Sequence, residues 1–256
     1  MNVRLEILFK LFLVLASKIY LTLYIKSATL IQIRGEPMKE ANYSLRERKY
    51  AKTKVMLARG FVERLKDTSF ADISIKEICE MVEVSEGTFY NYFPQKIDVI
   101  LFFKRLQILK IQWEIKQKWL TLDSIDLLDL AFALLTKELD QPYLFYEFIS
   151  IFTSQRKKPK PGDLLAVEKI YAYPECPGVE DIVLESLDGI FFKIIEKLKI
   201  ENRIKENIKI EDIVLSLKTI LLGVPLSIEI EDFDQIGRKY KTQLNLFKQV
   251  FFKGML

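Results

Sequence analysis

The sequence predicts an all-α fold, and two observations carry this prediction. After Met38, apolar residues recur three or four positions apart almost throughout, and the strict alternation that is typical of strands is nowhere sustained. Two of these periodic segments are preceded by a serine with a glutamate three positions later, which is a signature of helix starts. With 256 residues, half of them hydrophobic, the chain is long enough to bury a large core.

The composition disfavours most enzyme classes. The chain contains no histidine, which removes histidine-dependent nucleophiles, histidine-containing zinc sites and the commonest general base. It has neither a P-loop nor a G-x-G-x-x-G segment, so the enzymatic alternative is a helical enzyme that uses carboxylate, tyrosine or lysine chemistry. Its two cysteines, Cys79 and Cys176, lie far apart and fit a reducing compartment. We therefore expect a cytoplasmic binding protein with no catalytic residue, metal site or cofactor.

Residues 1–37 form an apolar extension with three open interpretations. Residues 7–33 are mostly leucine, isoleucine, phenylalanine and valine, interrupted by Lys10, Lys18 and Lys26. A lysine in the centre of a span costs about 3 kcal/mol on insertion, which makes a membrane anchor marginal. Met38 begins a polar segment that is typical of the start of a soluble protein. The extension is therefore translated upstream sequence outside the natural protein, a structured extension, or a membrane anchor.

The first helix is predicted to begin after Ser44, which forms a capping box with Glu47, and to end near Lys66. The net charge of +4 is too small to indicate a partner. Residues 46–54, however, hold five basic residues against one acid, so positive charge is concentrated at the start of this helix.

A second capping box, Ser74 with Glu77, opens a helix of about two turns. Cys79 lies on its apolar face, and we expect it to be a small core residue. Residues 83–85 then form a tight turn, and Ser85 caps a third short helix that Pro94 stops.

Two short helices joined by three residues are a helix-turn-helix. Phe89 and Phe93 are four positions apart and are expected to anchor the third helix to the second. Other side chains of the third helix project elsewhere and carry the hydroxyl and amide groups that base edges and phosphates accept: Thr88, Tyr90, Asn91 and Tyr92. This segment is therefore a candidate recognition helix.

Residues 78–96 resemble the DNA-binding signature of TetR-type transcriptional regulators. That signature has valine and serine, a basic residue, glycine, threonine, an aromatic residue, tyrosine, an aromatic pair, proline and lysine; residues 84–96 read VSEGTFYNYFPQK. The resemblance spans residues 44–100, and beyond it only the helical pattern and the length agree with the family. Glu83 departs from the glycine that is usual in the turn, where a positive φ costs a non-glycine residue about 1 kcal/mol. Glu86 departs from the usual basic residue.

The resemblance implies that the three N-terminal helices bind operator DNA. It places Thr88, Tyr90 and Tyr92 on DNA and Lys96 on a phosphate, and Ser85 belongs to the same recognition unit. Gly87 either permits a close approach to the DNA backbone or is a tolerated weak spot in the helix. The basic residues of the first helix either contact further phosphates or form a solvated charged face: Arg46, Lys49 and Lys52.

The remainder of the chain is expected to be a helical regulatory and dimerisation domain. Helices are predicted at Lys96 to about Leu120, Asp123 to Leu139, Pro142 to Phe152, Val179 to Ile200, Glu211 to Leu222, and Gln235 to Lys253. Two proline-punctuated breaks, residues 156–162 and 171–178, are expected to be surface connections.

Aromatic side chains in this domain suggest an apolar effector, although aromatic residues at helical spacing more often form plain core. They are Trp113, Phe132, Phe145, Phe148, Phe152, Phe191 and Phe192. The candidate ligand contacts are Trp113, Phe145, Phe148, Phe152 and Glu147. Glu147 either faces a cationic ligand or belongs to a stripe that faces water.

The resemblance also implies that the last two long helices pair with their copies in a four-helix dimer interface. The candidate interface residues are Leu244, Phe247, Val250 and Phe251. A monomer would instead bury this stripe internally.

We therefore interpret the sequence as a homodimeric, ligand-responsive transcriptional regulator, a repressor that a small apolar ligand releases from its operator. Its domains are the extension at 1–37, the helix-turn-helix domain at 38–97, and the regulatory and dimerisation domain at 98–256. Its expected partners are double-stranded operator DNA, a second copy of itself and an unidentified small-molecule effector. The alternatives are a membrane-tethered regulator anchored by residues 7–33, and the helical enzyme.

Overall fold

The computed structural model describes residues 43–66, 68–137, 145–150 and 163–254. The apolar extension, Pro142, Phe152 and the basic break at 156–162 lie outside these residues. The all-α prediction is confirmed, because in the described part of the chain extended pairing is limited to a single antiparallel bridge between Ile204 and Phe252. No helix in this part is long and apolar enough to span a bilayer.

The helices follow one another along the chain with short connections. The first five are α1 Leu45–Leu65, α2 Ile75–Val82, α3 Glu86–Tyr92, α4 Lys96–Lys118 and α5 Ser124–Lys137. Residues 145–150 are helical as well. There follow α6 Ala166–Ala172, α7 Leu187–Ile200, α8 Ile210–Leu226, a 3₁₀ helix at Ile230–Gln235, and α9 Ile236–Phe251.

Serine side chains cap the starts of three helices. The hydroxyl of Ser74 accepts a hydrogen bond from the Glu77 amide at 3.3 Å, and that of Ser85 accepts one from the Thr88 amide at 3.2 Å. Both caps were predicted from the sequence. A third cap, Ser186 with the Gly189 amide at 3.1 Å, opens α7.

Two hydrophobic clusters form the core, and α4 contributes to both. The first cluster joins α1, α2 and α3 to the beginning of α4 and to residues 164–184. The second joins the end of α4, from Ile111, to α5, α7, α8 and α9. In the second cluster the rings of Phe132 and Phe191 stack with their centroids 5.5 Å apart. Phe132 and Phe191 are therefore core residues.

The break predicted at 171–178 is not a surface connection. Tyr171 lies within α6, a helix that the sequence analysis did not predict, and residues 173–186 are not helical. Three side chains of this segment, Cys176, Val179 and Ile182, are buried in the first cluster. We call residues 173–186 the buried segment.

The helix predicted from Val179 begins only at Leu187, because neighbouring side chains satisfy the backbone of the buried segment. The Gln112 amide of α4 donates to the Val183 carbonyl at 2.9 Å and accepts from the Glu185 amide at 3.1 Å. The Lys169 ammonium of α6 donates to the carbonyls of Glu180 at 3.0 Å and Ile182 at 2.6 Å. Backbone groups that a helix would pair are thus bonded to side chains.

Helix α8 continues to Leu226, four residues beyond its predicted end, although it contains Pro225. Proline has no N–H to donate to the carbonyl four residues earlier, which belongs to Leu221. The hydroxyl of buried Tyr240 on α9 donates to that carbonyl at 2.5 Å. A tertiary hydrogen bond therefore replaces the missing helical one.

Candidate nucleic-acid interface

The turn between α2 and α3 has the backbone that a helix-turn-helix requires. Glu83 adopts a left-handed conformation, with φ of 58° and ψ of 45°. The amide of the next residue, Val84, donates to the Cys79 carbonyl at 3.0 Å, which closes the end of α2. Burial, reinforced by the Glu86 carboxylate, raises the pKa of the Cys79 thiol. The prediction that Cys79 is a small core residue is confirmed.

Helix α3 is anchored by its two phenylalanines, as the sequence predicted. Phe89 and Phe93 are fully buried, with ring centroids 5.8 Å apart. The side chain of Tyr90 is 48% exposed, and Asn91 is exposed as well. The hydroxyl of Thr88 forms a hydrogen bond of 2.9 Å with that of Ser85. One face of α3 is thus buried, and the other presents polar groups.

Gly87 has room for a side chain within the chain itself. A Cβ atom at this position would lie 3.8 Å from the Ser85 hydroxyl oxygen, which is ordinary van der Waals contact. Intramolecular packing therefore does not require glycine here. A close approach to DNA stays the predicted reason for it.

Tyr92 packs against the first helix. Its ring centroid lies 4.6 Å from that of Tyr50 on α1. Burial raises the pKa of Tyr92, and a hydrogen bond with the Thr53 side chain opposes this shift. Tyr92 thus braces α3 against α1, in addition to its predicted role on DNA.

Lys96 connects the start of α4 to the loop between α1 and α2. Its ammonium donates to the carbonyls of Phe70 at 3.3 Å and Ala71 at 3.1 Å. An ammonium carries three N–H donors, so one is left for the predicted phosphate.

The basic run at the start of α1 points in two directions. Arg46, Lys49 and Lys52 are exposed, as phosphate contacts require. Lys54 instead turns inward and forms an ion pair of 2.7 Å with the fully buried Glu168 of α6. Glu168 escaped the sequence analysis, because its segment carries no motif and its partner lies more than a hundred positions away.

The candidate ligand contacts do not form one site. Trp113 lies against the first cluster, and its indole N–H donates to the Pro177 carbonyl at 3.1 Å. Phe148 belongs to the first cluster and Phe145 to the second. Glu147 is half-buried, and its carboxylate accepts the Phe70 amide at 3.5 Å. It therefore neither faces water, as one interpretation held, nor points into a ligand cavity.

The candidate dimer residues divide between core and surface. Leu244 and Phe247 are only 3% and 4% exposed, so they belong to the second cluster and the prediction for them is corrected. Phe251 is half-buried, whereas Val250 is 59% exposed. The apolar stripe that the sequence indicated on α9 thus faces inward, because α8 and α5 cover it. Other apolar side chains are exposed on the last two helices: Leu215, Leu222 and Leu226 on α8, and Leu246 on α9.

A helix-turn-helix followed by a long connecting helix and a helical body defines the fold of TetR-family transcriptional regulators. Solved structures of such regulators share it with this chain. FadR of Thermus thermophilus, a TetR-family transcriptional repressor solved with lauroyl-CoA, is 18% identical over 79% of this chain and 95% of its own, with a TM-score of 0.51. The regulatory protein TetR of Rhodobacter sphaeroides is 13% identical over 77% of this chain and 97% of its own, with a TM-score of 0.51.

At these identities the similarity is one of fold. No family model matches the sequence, and no curated protein matches it in a sequence comparison.

Proposed function

We propose that the protein is a TetR-type DNA-binding transcriptional regulator that binds its operator as a homodimer. The observation that carries the proposal is the architecture of α2 and α3. Buried Phe89 and Phe93 hold α3 in place, while Thr88 and Tyr90 lie on its other side. A short helix that presents hydroxyl groups, next to exposed basic residues on α1, suits the major groove and its flanking phosphates.

The outer face of α8 and α9 supports dimerisation. Its residues have the alternating four- and three-residue spacing of a helix-helix seam: Leu215, Thr219, Leu222 and Leu226 on α8, and Gln243, Leu246 and Val250 on α9. A groove of about 410 Å³ runs between the two helices. Exposed apolar side chains concentrated on one face indicate a surface that another molecule covers. A second copy of the chain would form a four-helix interface there.

The regulatory mechanism follows from the geometry of a dimer on DNA. The two copies of α3 must lie about 34 to 36 Å apart to enter successive major grooves. A ligand that favours a different separation weakens operator binding by its difference in affinity for the two conformations. The protein would therefore act as a repressor that its ligand releases.

The effector is proposed to be a small apolar molecule that binds beside residues 145–150. This helical segment contributes Phe145 to one cluster and Phe148 to the other. A ligand inserted there would shift both clusters and α4 with them. The lauroyl-CoA held by the Thermus FadR, a regulator of the same fold, has a long apolar chain and supports this class of ligand.

A selection from random double-stranded DNA tests the proposed function. The full chain is incubated with the pool, bound DNA is sequenced, and the recovered site is footprinted. We expect two inverted half-sites whose centres are about one helical turn or a multiple of it apart. Recovery of DNA without a shared sequence, or of a single unpaired half-site, would contradict the proposal.

A further inference from the structure

Helix α1 holds α6 near both of its ends. The Lys54 ammonium lies 2.7 Å from a carboxylate oxygen of Glu168, in the first turn of α6. Five residues further along α1, the Arg59 guanidinium donates to the carbonyl of Ala172, the last residue of α6. Two contacts spaced along both helices fix the position of α6 on α1 and its direction.

The Glu168 carboxylate is buried and fully used. Its side chain is 0% exposed, and that of Lys54 is 15% exposed. One carboxylate oxygen bonds Lys54, and the other accepts the Leu165 amide at 2.9 Å, which caps the start of α6. The same ammonium lies 4.5 Å from the ring centroid of Phe102 on α4. A single ion pair thus joins α1, α4 and α6.

Helix α6 continues into the body through the buried segment. Lys169, next to Glu168, bonds two carbonyls of that segment, and Gln112 of α4 bonds its far end just before α7 begins. A displacement of the body is therefore carried along this segment to Glu168. Lys54, on the other side of the ion pair, belongs to the helix that presents Arg46, Lys49 and Lys52.

We propose that Lys54 and Glu168 are a positioning pair that orients the DNA-binding helices on the body, and so determines which spacing of operator half-sites the dimer accepts. The inference rests on the proposed function. A rotation of α1 about this pair moves α3 with it, because Tyr92 and the first cluster tie α3 to α1. In a dimer the rotation changes the separation of the two α3 helices, which must match the spacing of the half-sites.

The test compares half-site spacings on the operator that the wild-type full chain selects from random DNA. Binding is measured on that operator and on versions with one base pair fewer, one more and two more between the half-sites. Glu168→Gln keeps the size of the side chain and an acceptor for the Leu165 amide, but places an uncharged amide against Lys54. We expect the ratio of affinities between spacings to change by at least about fivefold. Lys54→Arg keeps the charge and should keep the wild-type spacing preference.

The control is Asp129→Asn, which removes the ion pair between Asp129 and Lys248 within the body. It should lower thermal stability without changing the spacing preference. The double variant Lys54→Met/Glu168→Gln leaves neither charge alone, and it keeps the test decisive if Glu168→Gln does not fold.

Equal loss of affinity at every spacing, in either variant, would mean that the pair only stabilises the fold, and the inference would be wrong. If the wild-type chain selects no DNA, the proposed function fails first, and the inference fails with it.

Discussion

Glu83 occupies a backbone conformation that L-residues rarely adopt. Its φ of 58° places it in the left-handed region, at the turn between α2 and α3. This conformation costs an L-residue about 1 to 2 kcal/mol, whereas glycine takes it without a steric penalty but loses more entropy on folding. The glutamate therefore makes the turn less stable than it need be.

We expect Glu83→Gly to raise the free energy of unfolding by about 0.5 to 1 kcal/mol, since the relief of strain exceeds the added entropy cost. Urea unfolding followed by circular dichroism measures the change. The matched control is Glu80→Gly, three residues earlier in α2, which should lower the free energy of unfolding by about 1 kcal/mol because the position is helical. A loss of stability in both variants would show that the turn does not prefer glycine.

Lys96 and Thr88 are expected to act differently on DNA. Lys96→Ala should weaken binding to all sequences alike and lower the salt slope by about one unit, because it removes a phosphate contact. Thr88→Ala should change discrimination at one operator position by about 1 to 3 kcal/mol, with little change in salt dependence. Titrations on the selected operator, its single-base variants and random DNA at several salt concentrations separate the two effects. An unchanged salt slope for Lys96→Ala, with a uniform loss for Thr88→Ala, would contradict both assignments.

Lys104 on α4 gives the fold a pH dependence. Burial lowers the pKa of Lys104 from 10.5 to about 8. Between about pH 8 and 10.5 the unfolded chain therefore holds a proton that the folded chain has released, so the free energy of unfolding rises with pH through this window. Below about pH 8 both states are protonated, and the buried charge is destabilising.

We expect Lys104→Met to raise stability at pH 7 and to flatten the rise between about pH 8 and 10.5. Urea unfolding at pH 7, 8, 9 and 10 gives the wild-type and variant profiles, and their difference isolates Lys104 from other titrating groups. Lys116→Met, at an exposed position on the same helix, serves as the control and should leave the profile unchanged. Parallel profiles for wild type and Lys104→Met would refute the assignment.

At the scale of single elements, α8 depends on its neighbour for continuity. Pro225 leaves the Leu221 carbonyl without its helical donor, and the Tyr240 hydroxyl supplies another. A buried carbonyl without a donor costs about 1 to 3 kcal/mol. The two helices of the proposed dimer face are thus joined by a polar bond as well as by packing.

Tyr240→Phe should therefore lower the free energy of unfolding by about 1 to 3 kcal/mol. The loss should be smaller in a Pro225→Ala background, because alanine restores the N–H that bonds Leu221. A double-mutant cycle by urea unfolding measures the difference. An additive cycle would mean that the hydroxyl does not replace the missing helical bond.

At the scale of the whole molecule, the outer face of α8 and α9 decides the oligomeric state. Leu222 is 46% exposed on the described chain, near the middle of the outward stripe of α8. A charge buried at the centre of a dimer interface without a partner is strongly unfavourable.

Leu222→Arg should therefore convert the dimer to a monomer in sedimentation velocity and abolish binding to the two-half-site operator. Val183→Arg introduces the same charge at an exposed site outside α8 and α9, and should leave the dimer intact. A dimeric Leu222→Arg would place the interface elsewhere.

Local sequence patterns determined the DNA-binding half of the protein. Capping serines, a turn of three residues and paired phenylalanines predicted α2 and α3 to within a residue, because each signal acts over a few neighbouring positions. The all-α class followed from periodicity for the same reason. Periodicity also placed apolar residues on α9, but it could not say which neighbour covers them.

The tertiary structure alone decided the body and its connection to the DNA-binding helices. The buried segment is held by Gln112 and Lys169, which bond backbone groups that local periodicity assigned to a helix. The same holds for Lys54, whose sequence neighbours are exposed while its own ammonium meets Glu168 across the fold. Such contacts depend on residues far apart in the chain, and their energy exists only once the helices have packed.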